Sequence, residues 1–103
     1  MVELRANPYF LSDEDITWVE RTIAGMTDEE KVGQLFFQLT SGITEEYLSE
    51  LMNKYHLGGI RYNGMPGAYV LEHNRILQKH AKIPVLIASN PEGGGDGACP
   101  DGT

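Results

Sequence analysis

The sequence predicts an α/β fold built on a parallel sheet. Three observations carry this. The elements run α-α-β-α-β-α-β. The strand starts fall near residues 35, 60 and 84, about 25 residues apart. The strands are short continuous apolar runs and the helices between them are amphipathic, the pairing expected when helical crossovers cover a parallel sheet. Such crossovers are right-handed almost without exception. A doubly wound sheet and a (β/α)-barrel both fit this pattern, and the pattern alone does not choose between them.

Each element has a local reason. Residues 1–11 read as an irregular lead-in around Pro8. Ser12 is a good N-cap, and Asp13, Glu14 and Asp15 stand in the first turn, where the helix dipole favours acids. Ile16, Val19 and Ile23 recur at helical spacing, and Gly25 suits the stop. Thr27-Asp28-Glu29-Glu30 matches a capping box and starts a short helix to about Gly33. Leu35-Phe36-Phe37-Gln38-Leu39 is an apolar run of strand length. Thr44 caps a helix whose stripe is Tyr47, Leu48, Leu51, Met52 and Tyr55, with Glu45, Glu46, Glu50 and Lys54 facing water and Gly58-Gly59 ending it. Ile60-Arg61-Tyr62 is a short strand, and Asn63 to Gly67 is turn material. The helix over 68–80 turns Val70, Leu71, Leu77 and Ala81 toward a core. Ile83 to Ala88 is the clearest buried strand, with Pro84 near its start, where proline is tolerated.

Composition sets the outer limits. The 103 residues suit one domain at most, and 41% hydrophobic residues mark a globular chain. No apolar run approaches the roughly 20 residues of a membrane helix. The net charge of −7 repels phosphate backbones and anionic lipid, so nucleic acid and membrane surfaces are not expected partners. The single Cys99 excludes a disulfide framework and a multi-cysteine zinc site, and fits a reducing, cytoplasmic setting. Met1 to Arg5 lack the basic-then-apolar opening of a signal peptide. Five of the 12 glycines fall in the last 11 residues, so the sequence reads as cut inside a loop.

Parallel α/β folds bind ligands beyond the carboxyl ends of their strands. Gln38 to Gly42, Tyr62 with Asn63, and Ser89 to Asp96 are the segments to inspect. The third is the richest, joining polar and acidic groups to glycines that let a ligand approach the backbone.

Three segments carry a resemblance. They are Met26-Thr27-Asp28-Glu29-Glu30-Lys31-Val32-Gly33-Gln34-Leu35-Phe36, then Lys54 to Ile60, then Ile83-Pro84-Val85-Leu86-Ile87-Ala88-Ser89-Asn90-Pro91-Glu92-Gly93-Gly94. In order and spacing they resemble the N-terminal barrel domain of glycoside hydrolase family 3, over roughly residues 26–103. The resemblance implies the first three β/α units of a TIM-type (β/α)8 barrel, preceded by an N-terminal helix. Residues 1–25 form the lead-in and helix, and 26–103 the truncated start of the barrel domain. It also implies a retaining glycosidase of β-linked sugars that needs no cofactor or metal. The Glu92-Gly93-Gly94 triplet looks more like the β-N-acetylhexosaminidase branch than the β-glucosidase branch. That branch usually reads Asp-x-Glu-Gly-Gly-Arg, its Asp accepting sugar hydroxyls. Here Asn90 holds the Asp position and Gly95 the Arg position, so charge-assisted bonds are lost while an amide oxygen can still accept.

The resemblance therefore puts substrate contacts at Asn90 and Glu92 and no catalytic group within the chain. A retaining enzyme needs two carboxyl groups about 5–5.5 Å apart, and the family's nucleophile and acid/base lie further along. The chain alone is expected to be inactive. Substrate identity, linkage and oligomeric state are not legible.

Other candidates read more simply. Asp96 and Asp101 are solvated loop acids. Gly93 to Ala98 match the G-x-G-x-x-A dinucleotide form, but an acidic loop with Cys99-Pro100 suits pyrophosphate badly. His56, His73 and His80 fit surface or capping roles rather than metal ligation. Cys99 has no evident base, and Trp18 and Tyr9 suit packing. Two rival functions remain open at this stage: a non-catalytic α/β carbohydrate-binding or regulatory module, and a flavodoxin-like nucleotide binder.

Overall fold

The structure, a computed structural model, describes residues 2–102. Met1 and Thr103, the outer ends of the segments 1–25 and 26–103, lie outside the described residues. In chain order the elements are α1 (Asp13–Ala24), α2 (Asp28–Gly33), β1 (Phe37–Leu39), α3 (Glu45–Tyr55), β2 (Gly59–Tyr62), α4 (Gly67–His80) and β3 (Leu86–Ser89), followed by a 3₁₀ turn at Gly95–Gly97. The strands are parallel in the order β1-β2-β3, which confirms the α/β class and the element order.

The first three helices start where their caps predict. Ser12 and Thr27 form complete capping boxes with Asp15 and Glu30, and the Thr44 hydroxyl accepts from the Tyr47 N–H. Helix α4 begins differently. Pro66 occupies its cap position and offers no side-chain acceptor. The Asp101 carboxylate instead accepts the Gly67 N–H at 2.6 Å from 34 residues downstream.

Helices α3 and α4 cover one face of the sheet. Leu48, Leu51 and Met52 from α3 and Ile76 and Leu77 from α4 close over Ile60 of β2, with Leu57 and Val85 at the margin. The α2 end docks on the α3 end through two glycines. A Cβ on Gly33 would strike the Tyr55 and His56 carbonyls, and one on Gly58 would strike the Gln34 backbone. Gly58 N–H then reaches Gly33 O at 3.1 Å, and Gln34 Nε2 donates to His56 O at 2.9 Å. Only bare backbone allows this approach, which ties the first two resemblance segments together.

Several expectations need correction. Leu71 is exposed, because Ile76, Leu77 and His73 occupy the inward face of α4. Ile23 and Tyr55 also lie largely in water, their side of the helix uncovered. β1 starts at Phe37 rather than Leu35, since Leu35 and Phe36 complete the turn after α2. α3 ends at His56 in a left-handed conformation (φ 52°), before the glycine pair. β3 runs from Leu86, not Ile83, and is not buried on both faces. Leu86 is 64% exposed because only the helix side of the sheet is covered.

This one-sided cover shows in the dimensions. The radius of gyration is 15.8 Å, against about 13 Å for a compact chain of this length. The accessible surface is 7048 Å², where a compact chain of this mass exposes about 5,800 Å².

Candidate functional site

The uncovered face of the sheet has an order set by strand register. Phe37, Gly59 and Leu86 are paired in one layer, and Leu39, Arg61 and Ala88 in the next. A Cβ on Gly59 would strike the Phe37 ring, so that ring lies across β2 on this face. Ile60 and Tyr62 point the other way into the helix layer, as strand alternation requires. The ladder continues past β1, where Thr40 N donates to Arg61 O at 2.8 Å. One residue further along the same register stand Ser41, Asn63 and Asn90, all exposed. The face thus grades from phenylalanine and leucine at the strands' amino ends to hydroxyl and carboxamide groups at their carboxyl ends.

Buried chemistry holds this polar end. His73 of α4 is fully buried, correcting its expected surface role. Its Nδ1 lies 3.0 Å from Asn74 Oδ1 and its Nε2 lies 3.0 Å from Thr40 Oγ1. A ring with its proton on Nδ1 donates to the amide oxygen and accepts the threonine hydroxyl, leaving neither nitrogen unsatisfied. The ring also packs against Tyr62, with centroids 5.6 Å apart. One imidazole therefore fixes the exits of β1 and β2. Between those exits, residues 40–43 with Tyr62, Asn63 and Met65 line a cleft of about 220 Å³.

The loop after β3 folds back over the loop after β2. Met65 N–H donates to Ala98 O at 3.4 Å, and Gly64 lies so close to the Gly97 carbonyl that a Cβ would crowd it. Asp101 is exposed, as expected, and also serves as a tertiary helix cap. The Gly67 N–H bond, followed by the Cys99 thiol, holds its carboxyl below the usual range. The same Asp101 contact pushes the Cys99 thiol up, away from nucleophilic character.

Of the two predicted contacts, Asn90 stands beside Asn63 at the strand ends. Glu92 lies beyond it in the exposed loop, with no hydrogen bond among the described residues, so the two are not brought together by any direct bond. Arg61 was not singled out from sequence. Its signal was present: a cation on the uncovered side of a strand whose neighbours there are Leu39 and Ala88. His73 and Asp101 had none, since their partners lie 33 and 34 residues away.

Among the described residues no group of three or more His, Cys, Asp or Glu side chains is placed to hold a metal, and no helix is long and apolar enough to cross a membrane. The Gly93–Ala98 match to a dinucleotide fingerprint forms a 3₁₀ turn rather than the opening of a helix, so it lacks the helix N-terminus that would receive a pyrophosphate.

Fold and site together define a parallel β/α segment that presents its polar groups at the strands' carboxyl ends. Comparison with known proteins gives the particular relationship, and it bears out the resemblance to glycoside hydrolase family 3. No protein-family model matches the chain. It is 40% identical over 94 residues to a β-N-acetylglucosaminidase/β-glucosidase of Cellulomonas fimi, an alignment covering 91% of this chain and 17% of that protein. The structure of the β-glucoside phosphorylase BglX superposes with a TM-score of 0.78 at 37% identity, over 97% of this chain and 17% of that one. The same phosphorylase bound to 2FGlc matches with a TM-score of 0.72 at 34% identity, over 82% and 15%. The chain is similar in sequence and fold to one piece of these proteins and spans about a sixth of their lengths.

Proposed function

We propose that this chain is the opening segment of a retaining β-glycosidase, its three strands forming the first arc of a (β/α)8 barrel. One observation carries the reading. The uncovered sheet face is apolar at Phe37, Leu39 and Leu86 and polar at Ser41, Asn63 and Asn90, the grading of a barrel wall whose mouth binds ligand. The two crossover helices lie on one side and the strands advance in sequence order, as a barrel arc requires. In this reading the β-N-acetylhexosaminide is preferred over the β-glucoside, on the Glu92-Gly93-Gly94 triplet. Asn90 binds a sugar hydroxyl, and the exposed Glu92 is a second substrate contact at the barrel mouth. The carboxylates that make and break the glycosidic bond belong to later strands.

The test is turnover of aryl β-N-acetylglucosaminide and aryl β-glucoside by the full-length protein and by the 103-residue chain. Activity of the former with none from the latter is expected. Hydrolysis by the short chain alone would overturn the reading, and the non-catalytic carbohydrate-binding module would replace it if neither is active.

A second reading concerns the acceptor. Both matching structures are of a β-glucoside phosphorylase, which favours phosphate in place of water as the group that takes the sugar. Sugar 1-phosphate among the products in phosphate buffer would establish it.

A further inference from the structure

The inference deepens the glycosidase reading and rests on it, through Asn90 as a sugar contact. The segment that carries Asn90 leaves β3, makes an excursion and returns to its own start. Gly94 N–H closes a turn on Pro91 O at 2.9 Å, and Gly97 N–H donates to Gly94 O at 3.1 Å. The return lays Gly97 against the backbone of Asn90. A Cβ on Gly97 would stand 2.6 Å from Asn90 O and 3.1 Å from Pro91 Cα. Both are backbone atoms, and the proline ring fixes φ at position 91, so neither swings aside as a side chain would.

The same glycine meets the exit of the neighbouring strand. A Cβ on Gly64 would stand 2.6 Å from Gly97 O. Three pieces of backbone are therefore stacked: Asn90 with Pro91, Gly97, and Gly64 just after Asn63. Two bonds close the stack from its far side. Met65 N–H donates to Ala98 O at 3.4 Å, and the Asp101 carboxylate accepts the Gly67 N–H at 2.6 Å. The parallel ladder between β2 and β3 ends at Tyr62 with Ser89. Asn63 and Asn90 are the first residues beyond it, so the stack rather than the sheet holds them.

We infer that Gly97 is a positioning residue for the sugar site: the return of the loop across it fixes the backbone of Asn90 against the exit of β2. Relieving the crowding of a methyl group there needs a backbone shift of about 0.5–1 Å. The asparagine side chain is short and moves with its own Cα. A misplacement of about 1 Å is enough to cost an enzyme a large factor in rate.

The test is kcat/KM of the full-length protein, on whichever of the aryl β-N-acetylglucosaminide and aryl β-glucoside it hydrolyses faster. The enzymes compared are wild type, Asn90→Ala, Gly97→Ala and the double variant. Each single substitution is expected to lower kcat/KM by roughly tenfold, the loss in Gly97→Ala falling chiefly on KM. The double variant is expected within about twofold of the worse single one, because a displaced Asn90 has already lost what Asn90→Ala removes. Losses that multiply overturn the inference, since Gly97 then acts apart from Asn90. A Gly97→Ala enzyme whose kcat falls with KM unchanged overturns it too, as the mark of a smaller folded fraction. Wild-type kcat/KM in Gly97→Ala beside an impaired Asn90→Ala overturns it and leaves Asn90 standing as a sugar contact. If Gly97→Ala yields no folded protein, Asp101→Ala and Asp101→Asn decide. A KM raised by Asp101→Ala and restored by Asp101→Asn sustains the inference, and any other result overturns it. Wild-type kcat/KM in Asn90→Ala overturns the sugar contact and the inference with it. Absence of turnover from the wild type overturns the glycosidase reading itself.

Discussion

The two faces of the sheet differ in kind. On the helix side, Ile60 is wholly buried beneath Leu48 and Leu77. On the other side, Phe37 and Leu86 are more than half exposed although they stand in the same three strands. The difference shows that the packed core is concentrated in one layer, while the open layer is apolar along the strands and polar only at their carboxyl ends. The sharpest test of the comparison truncates one residue from each. Leu77→Ala should destabilise by about 2–5 kcal/mol, the usual cost of a buried leucine cavity. Leu86→Ala should change stability by under about 0.5 kcal/mol in the chain alone. Urea unfolding of both variants checks it. A large loss for Leu86→Ala in the full-length protein only would show that later chain covers the open face.

The next effect concerns the junction between the faces. His73→Leu removes the nearer of the two partners of the buried Thr40 hydroxyl, leaving only the Arg61 carbonyl at 3.4 Å, and should cost about 1–3 kcal/mol. Adding Thr40→Val should recover part of that loss, because the stranded hydroxyl goes with it. Additive losses in urea titrations would mean the His73–Thr40 bond contributes little. His73→Gln should lose less stability than His73→Leu, since an amide can still bond Thr40.

What was legible in the sequence follows the range of each interaction. Ser12, Thr27 and Thr44 cap helices through bonds spanning three residues, so the pattern of hydroxyl and downstream acid identified them. Leu48, Leu51 and Met52 of the α3 stripe were legible from helical spacing over a similarly short range. Exposure of Leu71, Ile23 and Leu86 was not, because an apolar residue signals a face and not whether anything covers it. His73 looked like a surface histidine on helix α4. Its burial is made tolerable by Thr40 just after β1, Tyr62 of β2 and the neighbouring Asn74. Asn90 came from a resemblance of sequence, and the register then placed Asn63 and Ser41 beside it.

Asp101 sharpens the same point at smaller cost. Asp101→Ala should lower stability by about 0.5–2 kcal/mol, the range for losing an N-cap acceptor. Asp101→Asn should lose less, since an amide oxygen still accepts the Gly67 N–H. Hydrogen exchange at Gly67 in the two variants is the direct measurement. Equal protection in wild type and Asp101→Ala would show that this long-range cap does not form.

The smallest effect belongs to the helix layer's outer surface. Glu45 of α3 receives Lys79 Nζ at 2.6 Å and His80 Nε2 at 2.9 Å from α4. These hydrogen bonds pull its carboxyl down to about 2 from a usual 4.5. A depressed carboxyl stabilises the fold while it is ionised, so its contribution is complete above pH 4.5 and fades as pH falls toward 2. Glu45 and Lys79 are solvent-exposed and His80 partly so, which keeps the gain small. Glu45→Gln should therefore lower the midpoint of thermal unfolding slightly at pH 6 and leave it closer to wild type near pH 2. Identical midpoints at pH 6 would mean that α3 and α4 are held by Leu48, Ile76 and Leu77 alone, with the surface pair adding nothing.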